Sequence, residues 1–146
     1  MDRKALGARV FGHPEELQFL ENLIHPWVKQ QASELRLAFA AEGHLFAVYD
    51  LPLLYEKQQE QNFDRVVVVG CSRAVQLERL MQRNGLTLAE AEVRLQSQLP
   101  LQEKIPKATD CLWNEGSVEA LGLQVTQLIQ KLRSFSAQLS KTSPKT

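Results

Sequence analysis

The chain has 146 residues, 44% of them hydrophobic and 23% charged, with 17 Lys and Arg against 17 Asp and Glu. A formal charge of zero excludes a global electrostatic pull toward nucleic acid or an anionic membrane surface, leaving only local patches. The length suits one domain with a real core, and no apolar run is long enough to cross a bilayer.

The start, "MDRKALGARV", lacks the apolar core of a signal peptide, so the cytoplasm is the expected compartment. Cys71 and Cys111 sit in or beside apolar runs, far apart and without metal-ligand spacing. Two reduced, buried thiols are favoured over a disulfide.

In chain order, "DRKALGARVF" has helical spacing and stops at Gly12-His13-Pro14. Pro14 suits a first helical position, with Glu15 and Glu16 favourable in the first turn. Leu17, Leu20, Leu23 and Ile24 then share one face of a short helix. Pro26 predicts a break and the start of a longer helix through Val28, Ala32, Leu35 and Phe39, closed by Gly43. "LFAVY", residues 45–49, reads as a buried strand, and Pro52 turns the chain after it. "RVVVV" is the clearest strand, its β-branched run suiting a sheet covered on both sides.

Ser72 is placed to cap the helix "RAVQLERLMQR", which Asn84-Gly85 ends in left-handed geometry. Thr87 and Glu90 have capping-box spacing for a helix that runs on to Pro100. "DCLW" reads as a short strand, "NEG" as a turn, Ser117 as a cap, and "VEALGLQVTQLIQKLRSF" as a final amphipathic helix. The tail "SKTSPKT" is expected to be disordered. Strands alternating with helices after a helical N-terminal third predict an α/β fold with a parallel sheet of about three strands.

Several segments, at matching spacing, resemble dephospho-CoA kinase. They are "RKALGARVF", "LIHPWV", "DLPLLYE", "FDRVVVV", "QLERLMQRNGLTLAEAEVRLQSQLPLQEK" and "NEGS", and together they cover nearly the whole chain up to the polar tail. The resemblance implies an incomplete P-loop-kinase-like sheet with flanking helices and a helical lid. It divides a single domain, residues 1–140, into substrate-side helices (1–43), core strands (44–72), a helix and lid (73–107) and a last strand and helix (108–140), with 141–146 as tail. It implies ATP-dependent phosphorylation of the ribose 3′-hydroxyl of dephospho-CoA, with ATP and Mg²⁺ as cofactors, dephospho-CoA and ATP as partners, and no role for nucleic acid or membrane.

One family feature is missing from these residues. The seven glycines lie at 7, 12, 43, 70, 85, 116 and 122, and no G-x-x-x-x-G-K-[ST] occurs. A P-loop lends backbone N–H groups, a lysine and a magnesium-holding hydroxyl to the phosphates. Phosphoryl transfer depends on positioning and charge stabilisation, so this polypeptide alone is expected to be inactive. The resemblance places the absent P-loop strand between "LFAVY" and "RVVVV". Those strands are expected to close up directly or to borrow an edge from a second copy. A catalytically dead module that binds CoA or nucleotide, or a partner subunit, is the alternative. A related small-molecule kinase is a third.

Each candidate site residue has two readings. Asp50 is either a Walker-B-like acid that helps order magnesium or a turn-capping acid beside Pro52. Glu56 is a candidate substrate contact or a surface acid, while Leu54 and Tyr55 read as packing residues. Arg79 and Arg83 lie one helical turn apart. By charge pattern, Arg79, Arg83 and Arg94 form a solvated face with Glu78, Glu90 and Glu92. The resemblance instead makes Arg83 and Arg94 lid residues gripping ATP phosphates, a task suited to the guanidinium fork. Lys104 is placed either to reach a phosphate or to cap the lid helix.

Asn114 and Gly116 match the turn where the family's backbone receives adenine, although Thr109 and Trp113 stand where acids are common. Gly70-Cys71 likewise replaces an acid-containing continuation. Arg3, Arg9, His25 and Lys29 are candidates for a dephospho-CoA groove. Arg3 and His25 match the family best, and His25 beside Pro26 also reads as a packing or capping histidine.

Overall fold

A computed structural model describes residues 3–10 and 13–142. It divides into two compact units, Met1–Ala47 and Val48–Thr146.

The first unit holds α1 (Arg3–Val10) and α2 (Pro14–Ala41). Pro14 lies in the opening turn of α2 with Glu15 and Glu16, where a missing N–H costs nothing and acids complement the helix dipole. Arg9 Nε meets Glu16 Oε2 at 2.9 Å and links the two helices, although both side chains are exposed. Pro26 does not break the chain as expected, for α2 runs through it without interruption. The lost N–H costs about 3 kcal/mol, which the long run of good helix formers on both sides sustains. The helix ends where Gly43 adopts φ +80°. His44 N–H then reaches back to Phe39 O at 3.0 Å, the closing bond of a Schellman turn. Phe19, Leu23, Trp27 and Leu35 on α2 are each more than half exposed.

The second unit is built on β1 (Val67–Gly70) and β2 (Asp110–Trp113), paired in parallel with Val67 opposite Asp110 and Gly70 opposite Trp113. Between them come α3 (Arg73–Asn84), α4 (Leu88–Gln96), α5 (Leu101–Lys104) and a 3₁₀ turn, Ile105–Lys107; α6 (Val118–Thr142) follows β2. Tyr55, Val68, Leu80, Ala91 and Leu112 form the buried apolar centre. Ala91 is fully buried on α4, and Leu80 is the buried residue of α3.

The α/β class and the parallel pair are as the sequence predicts, but the strand count is not. Among the described residues the sheet has two strands, and "LFAVY" forms none. A strand needs a ladder to satisfy its backbone. The neighbour that would supply one for residues 45–49 is not among these elements, and Val48 is 82% exposed. The expected direct closure of "LFAVY" onto "RVVVV" therefore does not occur; β1 pairs with β2 instead.

Nor is β1 covered on both sides. Val68 and Gly70 are buried, whereas Val67 and Val69 are exposed, the alternation of a sheet with one packed face. The predicted lid helix also stops short of Pro100, at Gln96, with Ser97 as its cap. At the other end α6 extends through Thr142, two residues into the expected tail; residues 143–146 lie outside the described residues.

Two edges of the pair are finished by side chains. Gln124 of α6 accepts from Trp113 N–H and donates to Trp113 O, both at 2.9 Å, so its amide stands in for a neighbouring strand on the outer side of β2. At the opposite, N-terminal end, Arg65 Nη2 meets Asp110 Oδ2 at 2.7 Å. Lys131 Nζ adds a second cation 3.5 Å from Asp110 Oδ1, and the Arg65 guanidinium lies 5.0 Å from the Phe135 ring centre.

Candidate functional site

Parallel sheets present ligands at the carboxyl ends of their strands, here Gly70 and Trp113. Backbone bonds shape this rim. Asn114 N–H donates to Gly70 O at 2.8 Å, extending the ladder one residue beyond β2. Arg79 Nη1 donates to Asn114 O at 2.8 Å, and Glu115 Oε1 accepts from Ser72 N–H. Ser72 caps α3 as expected, its hydroxyl accepting from Val75 N–H at 3.5 Å. Gly70 also has a packing role, since a Cβ there would come within 2.8 Å of Leu101 Cδ2. Asn114 and Gly116 thus sit in a turn held from two sides, with Asn114 O already engaged by Arg79. Thr109 serves the sheet's other end, donating its hydroxyl to Val66 O at 2.8 Å.

The α3–α4 hairpin is the second component. Gly85 takes φ +65° as α3's left-handed cap, and Thr87 with Glu90 closes the capping box in both directions. Hydrogen bonds from the Thr87 backbone, and then its hydroxyl, hold the Glu90 carboxyl below its ordinary pKa. The neighbouring acids are similarly occupied. Glu78 accepts from Gln82 at 3.2 Å, and Glu92 pairs with Arg73 at 3.7 Å. The expected face is solvated, but among the described residues its arginines Arg79, Arg83 and Arg94 do not pair with Glu78, Glu90 and Glu92. Arg83 and Arg94 are exposed; Arg83 Nε bonds the Asn84 side chain at 3.2 Å, and among the described residues no carboxylate forms an ion pair with either.

The third component joins two predicted site residues that sequence reasoning assigned to different ligands. Glu56 Oε1 receives Lys104 Nζ at 2.7 Å and Leu99 N–H at 2.9 Å. The pair is mostly buried, with 16% and 14% of the two side chains exposed. Burial opposes ionisation of Glu56, but hydrogen bonds from Lys104 and from the Glu56 and Leu99 backbones outweigh it, lowering the pKa. This bridge fastens the turn after Pro52 to the link between α4 and α5. Burial, and then the charge of Glu60, push the Tyr55 hydroxyl pKa up.

Asp50 is exposed, in the irregular stretch before Pro52. No three of His, Cys, Asp and Glu gather to hold a metal ion among the described residues. A magnesium ion is commonly held by one or two carboxylates together with substrate phosphates, and Asp50 stands apart from any such cluster. In the first unit, Arg3 opens α1 and His25 is exposed on α2, next to Pro26.

Sequence reasoning gave no rim role to Arg79 or Glu115, and it passed over Gln124. Arg79 was visible as a lid-face arginine, but nothing in its spacing pointed to a backbone carbonyl. Gln124 carries no local signal, because its partner is on another element.

Comparison with known proteins places these features in one context. The family model for dephospho-CoA kinase matches residues 1–120. A dephospho-CoA kinase of Anaeromyxobacter dehalogenans is 48% identical over 133 residues, covering 91% of this chain and 63% of the relative. One of Bdellovibrio bacteriovorus is 37% identical, covering 94% and 68%. The solved dephospho-CoA kinase of Campylobacter jejuni superposes with a TM-score of 0.66 at 32% identity, over 92% of this chain and 66% of that one. The chain thus spans about two thirds of the length of the relatives it matches. No helix of the described residues is long and apolar enough to cross a membrane.

Proposed function

Since this chain belongs to the dephospho-CoA kinase family, we propose that it supplies the acceptor-side and lid portions of an enzyme that moves the ATP γ-phosphate to the ribose 3′-hydroxyl of dephospho-CoA. The observation that carries this reading beyond family membership is the state of the lid arginines. The hairpin's three acids, Glu78, Glu90 and Glu92, are bonded elsewhere, so Arg94, and Arg83 apart from its Nε bond to Asn84, keep guanidinium N–H groups to offer a polyphosphate, where paired guanidinium forks act most strongly. The left-handed Gly85 turn ends the helix of Arg83 and leads into that of Arg94.

Within the same reading, the turn at Asn114 and Gly116 receives adenine through backbone groups, with Arg79 and the Glu115–Ser72 bond holding its shape. Asp50 would hold Mg²⁺, which supplies charge neutralisation at the transferring phosphoryl group. Glu56 and Lys104 act through one another: their bridge sets where the α4–α5 link returns to the sheet. Arg3 and His25 belong to the acceptor side.

The 146 residues contain no glycine-rich phosphate loop. We therefore propose that a polypeptide of this sequence binds dephospho-CoA without phosphorylating it. Calorimetric titration with dephospho-CoA, alongside an assay of phosphate transfer from labelled ATP, tests both halves. Saturable binding without turnover is expected; absent binding, or turnover, would contradict the reading.

A further inference from the structure

A parallel strand bonds its neighbour through alternate residues. Along β1 these are Val66, Val68 and Gly70: Val66 O accepts from Thr109 and Asp110 N–H at 2.9 and 3.2 Å, and Gly70 O from Asn114 N–H at 2.8 Å. Val67 and Val69 therefore aim their N–H and C=O groups away from β2, and among the described residues no group bonds them there. The two residues are 36% and 58% exposed. The outer side of β2 has the Gln124 amide across Trp113; among the described residues the outer side of β1 has no such cover.

Such an edge is a template for another strand, and proteins usually blunt it with Lys, Pro or a bulge. β1 reads Val67-Val68-Val69-Gly70 in unbroken register and carries none of these. Its two outward residues flank Val68, so the edge is complementary to itself. Set antiparallel about a two-fold axis at Val68, Val67 of each copy faces Val69 of the other, and each such pair exchanges both of its N–H···O bonds. Every outward backbone group of Val67 and Val69 is then satisfied, and the facing valines form cross-strand pairs. The strand is already held by β2, so this pairing orders little new backbone. Residues 46–49, in contrast, would first have to be fixed as a strand.

We infer that the outer edge of β1 joins the same edge of a second copy of this chain, antiparallel, to give a continuous sheet in the order β2-β1-β1-β2. An edge this short buries much less than the about 1,200 Å² of a stable interface, so the join is weak and reversible with concentration. It stands independently of the proposed function.

The test follows the 146-residue chain by sedimentation from about 10 µM to about 1 mM, with amide exchange read residue by residue, for wild type and Val69→Lys. Wild type is expected to shift from monomer to dimer. The Val67 and Val69 amides should slow as concentration rises, while Val68, already bonded to β2, does not change. Val69→Lys places a charge in both valine pairs and should dimerise about tenfold more weakly, with its fold checked by circular dichroism. Should that variant fail to fold, the exchange pattern of wild type decides alone. A wild type that stays monomeric, a dimer whose Val67 and Val69 amides exchange as before, or undiminished dimerisation of folded Val69→Lys overturns the inference. Slowed exchange that extends to residues 46–49 would assign the edge to that segment and overturn it equally.

Discussion

Replacing Lys104 with Met removes the cation from the bridge with Glu56 while keeping most of the stem's volume. Glu56 is then left mostly buried with only the Leu99 N–H on Oε1. Breaking a fully buried pair costs about 3 to 5 kcal/mol, whereas an exposed pair is worth about 1 kcal/mol or less. Side chains that are 16% and 14% exposed lie nearer the first limit, discounted for the solvent they still meet. The expected loss is about 2 to 3 kcal/mol at pH 7, or roughly 10 °C or more in Tm for a unit of this size. Glu56→Gln combined with Lys104→Met should cost well under the sum of the single changes, with a coupling of about 1.5 kcal/mol.

The acid limb supplies a second reading of the same contact. The folded pKa of Glu56 is lowered, so the bridge's stabilisation is fully present above the ordinary carboxylate value of about 4.3. It is lost as pH falls through the lower folded value. Urea unfolding followed by circular dichroism should therefore show wild type and Lys104→Met converging as pH drops from 7 toward 3. A difference below about 0.5 kcal/mol at pH 7, or one that does not change with pH, would refute the reasoning.

Three further outcomes follow from the same contacts. Arg83→Ala and Arg94→Ala should each leave unfolding free energy within about 0.5 kcal/mol of wild type, since neither is held by a carboxylate. Arg79→Ala should lower it by about 1 kcal/mol, as Asn114 O loses its donor; equal effects in denaturant titrations would erase the distinction between free and structural arginines. Thr87→Ala removes the capping box and should destabilise α4 by about 1 kcal/mol, seen as faster amide exchange confined to residues near 88–96. Asp110→Asn should cost about 2 kcal/mol by uncoupling Arg65 and Lys131 from a side chain only 8% exposed. A Tm unchanged in that variant would show the two cations to be idle.

What the sequence made legible was whatever depends on neighbours along the chain. The Ser72 cap, the Gly85 left-handed turn and the Thr87–Glu90 box are each local bargains between a side chain and nearby backbone, and each forms as predicted. "LFAVY" failed for the opposite reason. Its composition suits a strand, but a strand exists only beside another. Pro26 misled because a proline's cost is fixed while the strength of the helix around it is cumulative. In the site, Glu56 and Lys104 were each singled out, but separately. Their pairing across 48 positions leaves no periodic trace, and the same holds for Arg79 with Asn114 O.

We propose that these residues carry the acceptor-binding portion of a phosphotransferase, without its phosphate cradle. Calorimetry of the 146-residue polypeptide with dephospho-CoA tests it most directly, read together with product formation from ATP in the same cell. Saturable heat of binding and no 3′-phosphorylated product is the predicted result. A flat titration, or accumulation of that product, would contradict it.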